Sequence, residues 1–394
     1  MSLWRQNAQT SIILGLVVFL LLFIPGLIWQ YWRHGQFSFR RMLGWLGVCV
    51  YTTALFVYTF MPLPSDRVAW CAEHNVGYNL EPFAFIADIR EETAGMSLAQ
   101  MARSFPVLQV AFNVLLFVPF GAIMRRYFGR GIVLSTLAGA ATSIFIEFSQ
   151  YTGLFGIYPC SIRVADVDDV MTNTLGALLG AILAPALLWW MPSGKALSAK
   201  RLAPRPVTAG RRWIGMLLDA VLFGVVQASV SIALRIARWV ASGELPQTTT
   251  RWEDIASIVA ALGLVFVIPA LGGRGASAGQ KIVWLTPKWL SPDRSMLTDG
   301  NVFLRVARSL VVVGPWVAST LLPDEWWWAG IVSLASLLIV LLSLIFVPDS
   351  RTHRSLSGMV TGAVFVDSRD PFAGGPENGE VPPLTSAKKQ ELGI

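Results

Sequence analysis

Between Cys160 and Gly176 the chain reads CSIRVADVDDVMTNTLG, which sets Asp166, Asp168 and Asp169 directly before a long apolar run. Carboxylates at the edge of a bilayer are costly unless they cap, pair or bind something. Asp166 has the place of an N-cap, Asp166-x-x-Asp169 resembles a capping box, and acidic side chains in a first turn complement the helix dipole. Capping accounts for one or two of the three. It does not account for Asn113 in FNVLLFVPFG, Glu147 and Gln150 in IEFSQY, Arg163 just before the aspartates, or Asn173 one turn after them. Glu147 and Gln150 share a helix face, as do Asp169 and Asn173. Together these residues have the chemistry of a binding cluster. Glu147, Asp168 and Asp169 carry the oxygen donors a divalent cation takes, and Arg163 the fork that clamps a phosphate. No catalytic residue is assigned. His34, His74 and His353 are the only histidines and lie outside the cluster, which argues against Ser-His hydrolysis.

The elements that must position these groups are membrane helices. The 394 residues are 54% hydrophobic and only 14% charged, and mean hydropathy is +0.57. Apolar runs long enough to span a bilayer recur at roughly 11–30, 42–61, 107–124, 131–148, 168–190, 213–234, 255–271, 304–322 and 327–347. The expected class is an all-α polytopic integral membrane protein with about nine transmembrane helices in two bundles. The first run has no small-x-small site behind it and reads as an uncleaved helix. The net charge of +7 is spread over short loops, which fits membrane orientation rather than nucleic acid. Arg40, Arg41, Arg125, Arg126, Lys200 and Arg212 fall on one side, so the N-terminus is expected outside and the C-terminus in the cytoplasm of a multi-pass cell-membrane protein. The polar cluster would then lie at the outer interface. The tryptophans of PDEWWWAG and Trp189 with Trp190 read as ordinary interfacial belts.

The segment 191–212 is polar, basic and rich in Pro, Ala and Ser, and reads as a cytoplasmic linker. It separates a five-span domain, 1–190, from a domain of about four spans, 213–366. The tail 367–394 has few large apolar residues and is expected to be disordered and cytoplasmic. Cys71 and Cys160 fall in loops assigned to the outside, where a disulfide between them would persist and pin the long loop beside the aspartates. The alternatives are Cys71, His74 and Cys160 as metal ligands, one short of a closed zinc site, or two free thiols. Cys49 lies inside the second run and reads as a packing residue. In the second domain, RRWIGMLLDAVLFGVV puts Arg212 at a helix start and Asp219 two turns into the membrane, on the same face but too far apart to bridge directly. GGRGASAGQK is not a phosphate loop, because Gln280 follows Gly279 where Lys is needed.

In order and spacing, FNVLLFVPFG, IEFSQ and R-x-x-D-x-D-D-x-x-x-N-x-x-G over roughly 42–190 resemble the VanZ-like family of bacterial membrane proteins. The residues that carry the likeness are Asn113, Pro119, Gly121, Glu147, Gln150, Arg163, Asp166, Asp168, Asp169, Asn173 and Gly176. Some members are associated with resistance to teicoplanin-type glycopeptides, so the resemblance implies a role in the cell envelope. From about 205 to 367 the chain resembles the RDD family, in Arg212 and Asp219, in GGRGASAGQKIVWL and in RTHRSLSGMVTGAVFVD. Ser357-Gly358 stands where that family often has His-Asp. The expected function is binding or shielding of a lipid-linked, lipophilic or glycopeptide-type ligand at the outer face, with the bilayer as the other partner. A metal-assisted enzyme acting on lipid phosphate and a small-solute or ion transporter are the alternatives. No cofactor is assigned, although a divalent cation suits the carboxylates. Ligand identity and oligomeric state are not legible.

Overall fold

A computed structural model describes residues 3–74, 77–272, 274–322, 327–349, 353–374 and 381–392. Among them, nine helices are long and apolar enough to cross a membrane. The chain is an all-α polytopic membrane protein. It divides into two compact units, Met1–Gln30 with Phe37–Ala199, and Tyr31–Gln36 with Lys200–Ile394. Four of the residues in the expected tryptophan belt, 323–326, lie outside the described residues.

The first unit is built on α1 (Leu3–His34), α2 (Phe39–Phe60), α3 (Phe105–Arg126), α4 (Ile132–Tyr151) and α5 (Val167–Leu187). Lipid offers no hydrophobic drive for helices to associate, so they must gain contact by letting backbones approach. α3 and α5 do this through glycine. A Cβ on Gly121 would lie 1.9 Å from the Ala177 carbonyl oxygen, one on Gly180 1.9 Å from that of Val118, and one on Gly176 2.1 Å from that of Val114. Ala177, Ala181 and Ala184 continue this stripe and are fully buried. α4 joins the same seam, where Gly139 meets the Ala177 methyl. Helix α3 continues through Pro119 as one element. At the other end of α5, arginines take up carbonyls left free where the helix stops. Arg126 donates to Met191, while Arg41, completely buried, donates to Tyr127 and Pro192.

Between α2 and α3 the loop carries three short helices, Arg67–Glu73, Ala84–Glu92 and Leu98–Met101. A disulfide joins Cys71 to Cys160, and β1 (Tyr78–Asn79) pairs in parallel with β2 (Ala165–Asp166) just before α5. Cys160 is thus bonded to carbon-bound sulfur, and His74 stacks on Trp70 with centroids 3.5 Å apart, so the trio is not a set of metal ligands. Cys49 is a buried free thiol.

The second unit contains α6 (Ala209–Ser242), α7 (Arg251–Leu271), α8 (Val302–Leu321) and α9 (Ala329–Pro348). It also holds a feature absent from the sequence reading, an antiparallel sheet of order β4-β3-β5, made of β3 (Leu285–Leu290), β4 (Leu297–Thr298) and β5 (Val364–Asp367). Thr286 pairs with Val366 and Lys288 with Val364. The tail expected to be disordered is folded where it is described. Ser386–Leu392 is a helix, and Leu384 and Leu392 are buried with Leu297, Val364, Val366 and Ala373. Composition misled here because a few apolar side chains suffice when a sheet offers them a ready surface. Asp367 closes the sheet edge with Arg211 at 2.9 Å and Arg369 at 2.6 Å. Burial alone pushes its carboxyl up, but the bond from Arg369 and the charge of Arg211 outweigh burial and hold it below the usual carboxylate range.

Replacing Gly180 with Ala drives a methyl into the Val118 carbonyl, and overpacking of this kind costs about 1–3 kcal/mol. The expected result is a lower unfolding temperature for Gly180→Ala in detergent, while Gly210→Ala, which meets nothing, leaves it unchanged.

Candidate functional site

Asp166 caps α5 through its own side chain, which accepts from the amide of Asp168 at 2.8 Å and faces the Asn79 amide group at 3.4 Å. The box suggested by Asp166-x-x-Asp169 is not closed by Asp169. The backbone N–H of Asp166 donates instead to Glu147 of α4, at 3.1 Å. A carboxylate from a neighbouring helix therefore completes the cap and ties α4 to the start of α5. That leaves Asp169 free for α3, where Asn113 donates to it at 2.5 Å.

Asp168 serves a different purpose. Its two oxygens accept from the backbone amides of Phe83 at 2.6 Å and Phe85 at 3.0 Å, at the start of the short helix Ala84–Glu92. Phe83 has φ 66, a left-handed conformation that a non-glycine residue holds only when its surroundings insist. The carboxylate supplies the missing cap that Phe83 cannot provide with its own side chain. Asp168 is thus buried and committed to the loop. Glu147, Asp168 and Asp169 do not form a cation cage: no group of three His, Cys, Asp or Glu among the described residues could hold a metal ion.

Gln150 and Asn173 also turn away from the cluster. Gln150 donates to the Thr59 carbonyl at 2.8 Å, closing the end of α2 against α4, and Asn173 donates to Ser143 at 2.9 Å between α5 and α4. The Asn173 Oδ1 is buried with no partner among the described residues. Arg163 is exposed and lies within electrostatic reach of Asp169 and Glu147, but no ion pair joins it to either among the described residues. The group that comes together is therefore Asn113, Glu147, Arg163, Asp166 and Asp169, acceptor-rich, with Glu147 buried, Asn113, Asp166 and Asp169 half-buried and Arg163 exposed. Above it lies a loop with large exposed apolar side chains, among them Leu80, Phe83, Ile86 and Leu98. The residues that the sequence did not announce are Asn79, Thr59, Ser143 and the amides of Phe83 and Phe85. Backbone donors carry no side-chain signal, and β1, two residues long, is too short to read.

In the second unit Asp219 is also bound, though not by Arg212. It accepts from Ser277 Oγ at 2.6 Å and from the Gly279 amide at 2.7 Å. Gly279 is needed there because a Cβ would lie 2.9 Å from Asp219 Oδ1. Arg212 donates to the His353 carbonyl at 3.3 Å and to Ser355 Oγ at 2.8 Å, and Ser355 in turn contacts Ser357 at 3.0 Å. The Ser355 hydroxyl and the His353 carbonyl thus take the guanidinium.

Residues 48–189 match the family model VanZ/LLP1. The match covers the part of the chain that builds the cluster and lies within the first unit. No curated protein and no solved structure matches the chain.

Asp168→Asn replaces one of the two carboxylate oxygens by an NH2 group and removes the charge, so one amide loses its acceptor and the bond from the other weakens; an unsatisfied buried donor costs about 1–3 kcal/mol. Hydrogen exchange is expected to speed up at Phe83 and Phe85 while α5 stays protected, and Asp169→Asn is expected to leave both amides as they are. Maleimide labelling in denaturant is expected to modify Cys49 alone before reduction and all three cysteines after it.

Proposed function

On the basis of the VanZ/LLP1 match of the first unit, we propose that this unit binds the donor-rich head of a lipid-linked or lipophilic molecule at the outer face of the bacterial cell membrane, and that it lowers susceptibility to teicoplanin-type glycopeptides. The observation that carries the reading is the hold of Asp168 on Phe83 and Phe85. It brings a loop with exposed apolar side chains up against a partly buried group of carboxylates. A ligand with hydroxyls or an amine at one end would donate to Glu147, Asp166 and Asp169, while Arg163 takes an acidic substituent. Its hydrocarbon part would lie on Leu80, Phe83 and Ile86, where the bilayer interface already favours amphipathic surfaces.

The Cys71–Cys160 bond supports the side assigned to this site, since disulfides persist in oxidising compartments. The bias of Arg40, Arg41, Arg125 and Arg126 to the opposite helix ends agrees with it, and with a C-terminus in the cytoplasm. A metal-assisted enzyme gains no support from a cluster in which Asp168 has given both oxygens to backbone amides.

Expression of the full chain in a teicoplanin-susceptible host is expected to raise the inhibitory concentration several-fold. Glu147→Gln and Asp169→Asn are expected to abolish that rise at equal membrane abundance. Full protection by both variants, or no protection by the parent chain, would overturn the proposal.

A further inference from the structure

We propose that the second unit holds a small monoanion of the halide class between Arg212 and Arg308. The two guanidiniums come from α6 and α8 and are 1% and 2% exposed. Both sit on one ring: Arg212 Cζ is 3.3 Å and Arg308 Cζ 5.6 Å from the centroid of Phe365. The two centres can be no farther apart than the sum of those distances. Each also interacts electrostatically with Asp219, the acidic side chain that faces them.

Among the described residues the charges of this group do not cancel. Asp219 contributes one negative charge against two positive ones, and its oxygens are occupied by Ser277 and Gly279 rather than by either arginine. Among the described residues, the other partners of the arginines are neutral: the carbonyls of His353 and Gly275, the Ser355 hydroxyl and the Phe365 ring. Arginine cannot shed its proton to relieve the imbalance. Burial of a net charge costs several kcal/mol unless a counter-charge joins it. The donors needed for one are present. Arg212 Nη1 and Arg308 Nε are buried and have no acceptor among the described residues.

The form of the donors selects the class of anion. Carboxylates and phosphates take paired N–H groups from one guanidinium fork. Arg212 has already spent Nε and Nη2 on His353 and Ser355, which leaves a single donor with no acceptor. One such donor on each of two arginines suits a spherical acceptor. Burial of both side chains also excludes a bulky headgroup. A cleft lies beside them: His353 and Phe365, both of which Arg212 touches, line it together with Arg205 and Lys388.

The test is thermal unfolding of the full-length protein in detergent, with chloride replacing gluconate at constant ionic strength. Stability is expected to rise with chloride and to saturate, as it does for any ligand that binds only the folded state. Bromide is expected to substitute and phosphate not to. Arg212→Gln and Arg308→Gln are expected to weaken the apparent affinity by about tenfold or more, equivalent to the loss of one charge-assisted contact. Asp219→Asn removes the opposing charge and is expected to tighten it, which gives a reading even where an arginine variant does not fold. A chloride-independent melting temperature, a response unchanged in both arginine variants, saturation by phosphate alone, or weaker binding in Asp219→Asn would each overturn the proposal.

Discussion

The polar chemistry of the first unit depends on how closely α3 and α5 lie. Three glycines let carbonyls of one helix rest where the other would carry a Cβ, and this sets the spacing at which Asn113 can reach Asp169. With the usual interaxial distance of about 8–10 Å the two side chains would still be neighbours, but a short amide–carboxylate bond needs the nearer approach. The same seam receives α4, so Glu147 meets the first amide of α5 and Ser143 meets Asn173. Packing of small residues and placement of charge are therefore one design. The glycines lie toward the middle of the bundle, and the carboxylates they align lie at its rim.

Within that frame the aspartates divide the work. Asp166 starts the helix, Asp168 secures the overhanging loop, and Asp169 joins α3. A single helical turn thus fastens three directions of the structure, two of them through carboxylates that ordinary capping would not require. What remains uncommitted is smaller than the full set of polar residues, and the loop beside it exposes large apolar side chains.

Much of this was legible because polar residues within apolar runs stand out, and because Gly176 and Gly180 repeat at the spacing of one helix face. The spans, the cluster, the cystine partners and the arginine–aspartate pair of α6 could all be named from residue type and position. What the sequence hid was carried by groups without a type. The amides of Phe83, Phe85, Gly279 and Asp166 do the binding, and any residue but proline has an amide. Asp168 and Asp169 are chemically identical neighbours whose roles differ only through the turn of the helix, about 100° per residue. The sheet of the second unit was hidden for another reason. Its strands are short, and Pro287 and Lys288 in β3 break the apolar pattern, so only pairing with Val364 to Asp367 makes it a strand. Ser355 was visible as a serine, but its role as acceptor for Arg212 depends on contacts made more than a hundred residues apart in the chain.

The cystine also bears on how the chain is assembled. Its two halves are 89 residues apart, and α3 and α4 lie wholly between them. Cys71 emerges first and has no partner until both of those helices have been made and threaded, one in each direction, so that Cys160 arrives on the same side. The bond is therefore a covalent record that a hairpin of two crossings has been completed. A chain that inserted only one of the two would leave its cysteines on opposite sides of the bilayer and unable to join. Biogenesis thus leaves a mark that can be read in the finished protein.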